Sequence, residues 1–181
     1  MADRTALPAR LADGVVHVEP LVEDHREGLR AACSGDEDFW TLYPRSFGAG
    51  QFDASFDGII NDAARVPFAL FAGGVLIGMS GYLNIDADSD GLEIGGTYLS
   101  RATRGTGLNA RFKRLFIDHA LACGFQRIEF RVDARNERSQ AAVLKLGAVR
   151  EGVLRRHKKL WTGFVRDTVC FSILAEEWRA R

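Results

Sequence analysis

The sequence predicts an α/β (α+β) fold: one domain on a central, mixed and largely antiparallel sheet of about seven strands with flanking helices. Three observations carry this. Short runs of β-branched and aromatic residues follow one another mid-chain, at Phe68–Ala72, Val75–Leu83 and Leu92–Leu99. The pattern then changes to helix, strand, helix and two long strands. Finally, 181 residues with 46% hydrophobic and 27% charged side chains make one ordinary globular domain, 1–181, without repeat or linker.

In chain order, residues 1–13 read as a loose lead-in. Val15–Val18 is a short strand ending at Pro20. Glu23–Ala32 reads as a helix, with acidic residues in its first turn and Gly35 beyond its end. Asp36 is placed to cap a helical turn through Tyr43, which Pro44 stops. Phe52, Phe56, Ile59, Ile60 and Ala63 keep helical spacing, so a helix is expected over 51–64. The three meander strands follow, with Gly73-Gly74 and Asp86–Gly91 as turns. The second turn lacks the glutamate a calcium loop needs six residues after its glycine. Leu108, Phe112, Leu115, Phe116 and His119 share one face of a helix running to Gly124. Ile128–Val132 is a strand, and Glu137–Leu146 is a helix closed by Gly147. Val149–Leu154 and Val165–Leu174 are strands joined through Thr162-Gly163, and a short helix follows over 175–179.

Composition narrows the function. Twenty-four basic and 24 acidic residues cancel, which argues against a strongly basic nucleic-acid binder. Val66–Asn84 is uncharged, but Pro67 and four glycines break it into a hairpin, so no membrane span is expected. The first ten residues carry three charges and no apolar run, unlike a signal peptide. Cys33, Cys123 and Cys170 form no CxxC pair. A cytoplasmic, reducing setting is expected. The histidines (17, 25, 119 and 157) do not pair at metal-ligand spacing, so no metal is expected. His119, on an apolar helix face, reads as a packed residue.

Chemistry concentrates in Arg101-Ala102-Thr103-Arg104-Gly105-Thr106-Gly107-Leu108-Asn109-Ala110, between a strand and a helix. A helix N-terminus offers free N–H groups and partial positive charge. Glycines let backbone approach an anion, and Arg101, Arg104 and Arg111 add charge. Together these describe a pyrophosphate site. It is neither a Walker loop nor a full GxGxxG fingerprint.

Arg104-x-x-Gly107-x-Asn109 resembles the acyl-CoA signature of the GNAT N-acetyltransferase superfamily. Asn136-Glu137-Arg138-Ser139, with Leu144-Lys145-Leu146-Gly147-Ala148, and Glu93-Ile94-Gly95-Gly96-Thr97-Tyr98-Leu99 are similar to two further GNAT segments. Asp38-Phe39-Trp40-Thr41-Leu42-Tyr43-Pro44 is similar to a stretch of the RimJ/RimL-like branch, which acetylates ribosomal-protein N-termini. Gly152, Arg166-Asp167, Ile173-Leu174 and Glu177-Trp178 look like that branch's closing strands.

The resemblance implies acyl transfer from acetyl-CoA, or another acyl-CoA, directly to a primary amine such as a protein N-terminus. It implies a sheet splayed between the fourth and fifth expected strands, with the cofactor entering the splay. Thr97, Leu99, Arg104, Gly105, Thr106, Gly107, Leu108, Asn109, Ala110, Asn136 and Ser139 are then its expected contacts. Glu93 is the candidate base through water, and a carboxylate partly removed from water has a raised pKa. The developing oxyanion requires a backbone N–H near Thr97 or Tyr98. Ser139, with Tyr98 as a rival, is the candidate donor to the leaving sulfur. Trp40 and Tyr43 are expected to border the acceptor site. Asn109 stands where the family has Gly or Ala, and Gly95-Gly96 leaves room for a larger acyl group. A non-catalytic acyl-CoA sensor and a small-molecule amine acetyltransferase are the alternatives. Open strand edges late in the sheet suggest a homodimer.

Overall fold

The computed structural model describes residues 1–181. Eight strands form one sheet: β1 (Leu11–Asp13), β2 (Val16–Pro20), β3 (Val66–Ala72), β4 (Val75–Asp86), β5 (Gly91–Leu99), β6 (Arg127–Asp133), β7 (Val149–Lys159) and β8 (Val165–Leu174). Their order is β1-β2-β3-β4-β5-β6-β8-β7. Every pairing is antiparallel except β5–β6. Helices α1 (Arg26–Cys33), α2 (Phe52–Ile60), α3 (Leu108–Ala122), α4 (Glu137–Lys145) and α5 (Ala175–Arg179) flank it, with a 3-10 segment at Glu37–Leu42. No helix is long and apolar enough to cross a membrane.

Alternation along the strands divides the apolar residues between two cores. On one face, Phe68, Leu70, Tyr82, Ile94, Ile128 and Phe130 pack against Phe112 and Phe116 of α3. Tyr82 stands edge-on to Phe116 at 5.4 Å and donates its hydroxyl to the Phe116 carbonyl at 2.8 Å. A buried phenol is thereby satisfied. On the other face, Ala69, Met79 and Tyr98 pack against α1, α2 and the 3-10 segment through Leu29, Trp40 and Phe56. That second cover stops at β5. Beyond it, the same sheet face carries Glu129, Arg131 and Asp133, registered against Ser172, Cys170 and Thr168 of β8. This polar half-face is one wall of a groove.

Four expectations are corrected by the structure. The lead-in is ordered: Leu7 is fully buried, Ala2 N–H bonds Asp90 at 2.8 Å, and β1 adds an eighth strand. Three residues of strand are too short to show a period. The helix expected over 51–64 ends at Ile60, and Glu23–His25 is 3-10 rather than α. The strand expected over Val149–Leu154 runs on through the basic residues Arg155–Lys159, with a register shift between Leu154 and Lys158. His119 packs as expected, at 3.1 Å from the Ala6 and Leu7 carbonyls.

Gly78 of β4 lies so close to β5 that a Cβ there would strike the Tyr98 carbonyl. Gly78→Ala is therefore expected to displace β5 and cost about 2 kcal/mol or more, a drop of roughly 4–8 °C in melting temperature. Thermal denaturation followed by circular dichroism tests this.

Candidate active site

Strands β5 and β6 pair only at Gly91↔Arg127, Leu92↔Ile128 and Glu93↔Glu129. Past Glu93 they separate, as expected for the fourth and fifth of the strands read from sequence. A cavity of about 1080 Å³ occupies the opening. Its lining includes Glu93, Thr97, Leu99, Arg104, Gly105, Gly107, Asn109, Ala110, Asn136, Ser139 and Tyr43.

Glu93 sits at the apex, 8% exposed. Its Oε2 accepts from Asn84 Nδ2 at 2.6 Å, and Arg131 Nε lies at 3.7 Å. Burial pushes this carboxyl above its ordinary range, against the opposing pull of Arg131 and Asn84. Gly95 leaves the space the carboxylate needs, because a Cβ there would lie 2.7 Å from Glu93 Oε1. Just beyond, β5 carries a bulge. The register shifts between Met79 and Gly81, and Gly96 takes φ +61°. A bulge leaves the extra residue of β5 out of the ladder, here at Gly96–Thr97, and both residues line the cavity.

Lys113 enters the same apex from α3. It is 5% exposed and donates to Thr97 Oγ1 at 2.5 Å, and Thr97 Oγ1 lies 2.7 Å from Ser80 Oγ. Burial lowers its pKa to about 7, with the Glu93 charge opposing. Sequence reasoning passed over Lys113. The signal was there: it stands four residues before Ile117 and seven before Ala120, on a face otherwise apolar.

At the far end of the cavity, Gly107 starts α3 with φ +85°. The first turn has no acidic residue and no side-chain cap, and a Cβ at Gly105 or Gly107 would meet only open space. An uncapped, unneutralised helix start with glycine access fits a pyrophosphate.

Several expected contacts lie elsewhere. The Arg104 guanidinium is not free for a phosphate. It pairs with Asp36, bonds the Leu99 carbonyl at 2.9 Å and stacks on Phe39 at 3.8 Å. Asp36 consequently caps no helix. Burial raises its carboxyl, but the Arg104 and Tyr98 hydrogen bonds and the Arg104 charge hold it below the ordinary range. Arg111 is committed to Asp13 at 2.9 Å. Thr106 bonds the Thr103 carbonyl outside the cavity lining, and Leu108 packs on the core.

Tyr98 points away from the cavity. Its hydroxyl bonds the Ala32 carbonyl and Asp36, each at 3.0 Å, so it offers the leaving sulfur nothing. Trp40 is fully buried, stacked on Tyr98 at 4.4 Å, and forms no rim. Tyr43 does line the cavity and donates to the Thr97 carbonyl at 2.5 Å. Asn136 caps α4, accepting from Ser139 N–H at 3.0 Å. The opening is crossed at its wide end, where Trp161 Nε1 bonds the Trp40 carbonyl at 2.8 Å and Arg135 the Thr41 carbonyl at 3.3 Å.

A splayed sheet with an anion-ready helix start at one end and a buried carboxylate at the other is the arrangement that the resemblance to acyl-CoA-dependent transferases implies. Comparison with known proteins agrees. The family model described as "Acetyltransferase (GNAT) domain" matches residues 16–149. A protein from T. thermophilus assigned as an acetyltransferase shares 33% identity and superposes with TM-score 0.88, covering 97% of this chain and 94% of its own. A GCN5-related N-acetyltransferase from Brucella melitensis shares 26% identity with TM-score 0.89, covering 96% and 81%. Mycobacterium smegmatis RimJ, solved in complex with CoA-disulfide, has the same fold at 21% identity and TM-score 0.79, covering 95% and 90%. No curated protein matches the sequence. The chain belongs to the GNAT acetyltransferase family, and it is an N-acetyltransferase.

Two outcomes are expected from the charges. Asp36→Asn leaves the half-buried Arg104 without its counter-charge and should cost about 1–3 kcal/mol, read as a lower melting temperature. For Lys113, the folded pKa of about 7 lies below the ordinary lysine value of 10.5, so the unfolded chain binds the extra proton between them. Stability should therefore rise with pH from 7 toward 10. Lys113→Met should flatten that rise, by on the order of a few kcal/mol, in denaturant titrations across this range.

Proposed function

We propose that this acetyltransferase moves an acetyl group from acetyl-CoA to a primary amine, in the first instance the N-terminal amine of a protein. The observation that carries the reading is Glu93: a buried carboxylate of raised pKa at the apex of the cleft, beside an open polar groove. Glu93 receives the amine proton, directly or through one water. The backbone N–H at the Gly96–Thr97 bulge donates to the thioester oxygen as charge develops there. Ser139, whose hydroxyl lines the cavity, is the donor to the departing sulfur. The α3 start, from Gly105 to Ala110, holds the pyrophosphate through main-chain N–H groups, and Asn136 meets the pantetheine arm while capping α4. A protein N-terminus is supported by the stretch Asp38–Pro44, similar to the RimJ/RimL-like branch, and by the crossed mouth of the groove.

Saturating acetyl-CoA should raise the melting temperature by roughly 5–10 °C, the effect of about 2.7 kcal/mol at 100 times the dissociation constant, while ATP and NAD should not. Glu93→Gln should keep that shift and lose on the order of 10²–10⁴ in kcat. The acid limb of the wild-type rate profile should lie above the ordinary carboxylate range, because the base is active only once deprotonated. Full turnover in Glu93→Gln would remove Glu93 from this role.

A further inference from the structure

The polar wall of the groove holds a second charge that the transfer step leaves unused. Arg166, near the start of β8, is 8% exposed and lines the cavity. Its single hydrogen bond runs from Nε to Thr168 Oγ1 at 3.1 Å. The two carboxylates whose charge reaches it are engaged elsewhere: Asp133 with Arg135 at 2.7 Å, and Glu93 with Asn84 at 2.6 Å. Arg166 forms no ion pair, its terminal nitrogens donate no hydrogen bond, and the residue lines the cavity. A guanidinium in that position has lost most of its water without gaining a charged partner. Such groups ordinarily meet a carboxylate in bidentate fashion.

The surroundings favour the same ligand. His157 Nδ1 lies 3.1 Å from Thr168 Oγ1, on the oxygen that already accepts from Arg166. With the Thr168 proton directed to Nδ1, His157 keeps its own proton on Nε2, a further donor. His157, Lys158 and Lys159 all line the cavity, and Arg166 pairs in register with Lys158. Along this stretch of wall, donors and positive charge converge, and the nearby carboxylates Asp133 and Glu93 already have other partners.

The wall is also the correct one. Glu93 and Arg166 line the same cavity, so base and guanidinium share one space. Pyrophosphate, by contrast, fits the α3 start, where Gly105 and Gly107 give backbone access. We infer that the acceptor is an amine that also carries a carboxylate, seated on Arg166 with His157 beside it while the amine faces Glu93. Two sources share this chemistry: a free amino acid, and a peptide whose N-terminal residue is acidic. The inference rests on the acyltransferase reading and names its acceptor class.

The test measures acetyl-CoA-dependent acylation of matched pairs by release of free CoA thiol. One arm sets free amino acids against their carboxamides. The other sets peptides beginning with Asp or Glu against those beginning with Asn or Gln. Acetyl-CoA binding is read separately by thermal shift. In at least one arm, the carboxylated member should be preferred on the order of tenfold to a hundredfold in kcat/KM. Arg166→Gln should bring that ratio toward one, and Arg166→Lys should keep part of it. The arm that responds identifies the source. Equal rates within every pair overturn the inference, as does a preference that survives in Arg166→Gln. So does acetyl-CoA binding without acylation of any carboxylated amine. Failure of acetyl-CoA to bind would instead strike the acyltransferase reading itself.

Discussion

The short parallel ladder between β5 and β6 is the constraint on which the rest depends. Two strands running the same way must be joined by a crossover, and here that crossover is α3. Because pairing ends after Glu93 and Glu129, the start of α3 lies at the open end of the splay and Glu93 at its closed end. One interruption in backbone hydrogen bonding thus creates the cavity, sets the anion site and buries the carboxylate. Strands that remained paired to Leu99 would leave no space for a thioester between them.

The two sheet faces divide the remaining work. The α3 face is a continuous apolar core and supplies rigidity, with Tyr82 and Phe116 locked by a buried hydrogen bond. The other face is apolar only as far as β5, then changes to Glu129, Arg131, Asp133 and Thr168. Lys113 is where the division is breached. Its ammonium crosses from the apolar side to reach Thr97 at the bulge, and burial lowers its proton affinity there.

Much of this was legible in the chain. The strand runs, the Gly-flanked loop before α3, and the order of short segments resembling GNAT pointed to fold and family, because backbone-level sites leave glycine and capping signals. Glu93, Asn136 and Ser139 all line the cavity. What misled was side-chain commitment. Arg104 sits in the right loop but gives its charge to Asp36, a residue 68 positions away in sequence. Tyr98 and Thr97 are neighbours that the pleat sends to different environments, and only a register sets which one faces the cavity. Lys113 and Arg166 went unread for a related reason. An isolated cation in a half-buried element looks like any surface residue until the cover on both sides is known.

The bonds from Trp161 to the Trp40 carbonyl and from Arg135 to Thr41 span the gap that the backbone ladder leaves open. With the β5–β6 ladder at the apex, they join the two sides of the splay at both of its ends. A closed perimeter sorts molecules by their thickness along the direction of entry. On the function proposed above, an amine in the middle of a folded surface could not be laid into such a perimeter from the side, whereas a slender chain could be threaded end-first. On that same function, selectivity for where an amine sits on its carrier would then begin with this closure, before any side chain reads what lies next to it.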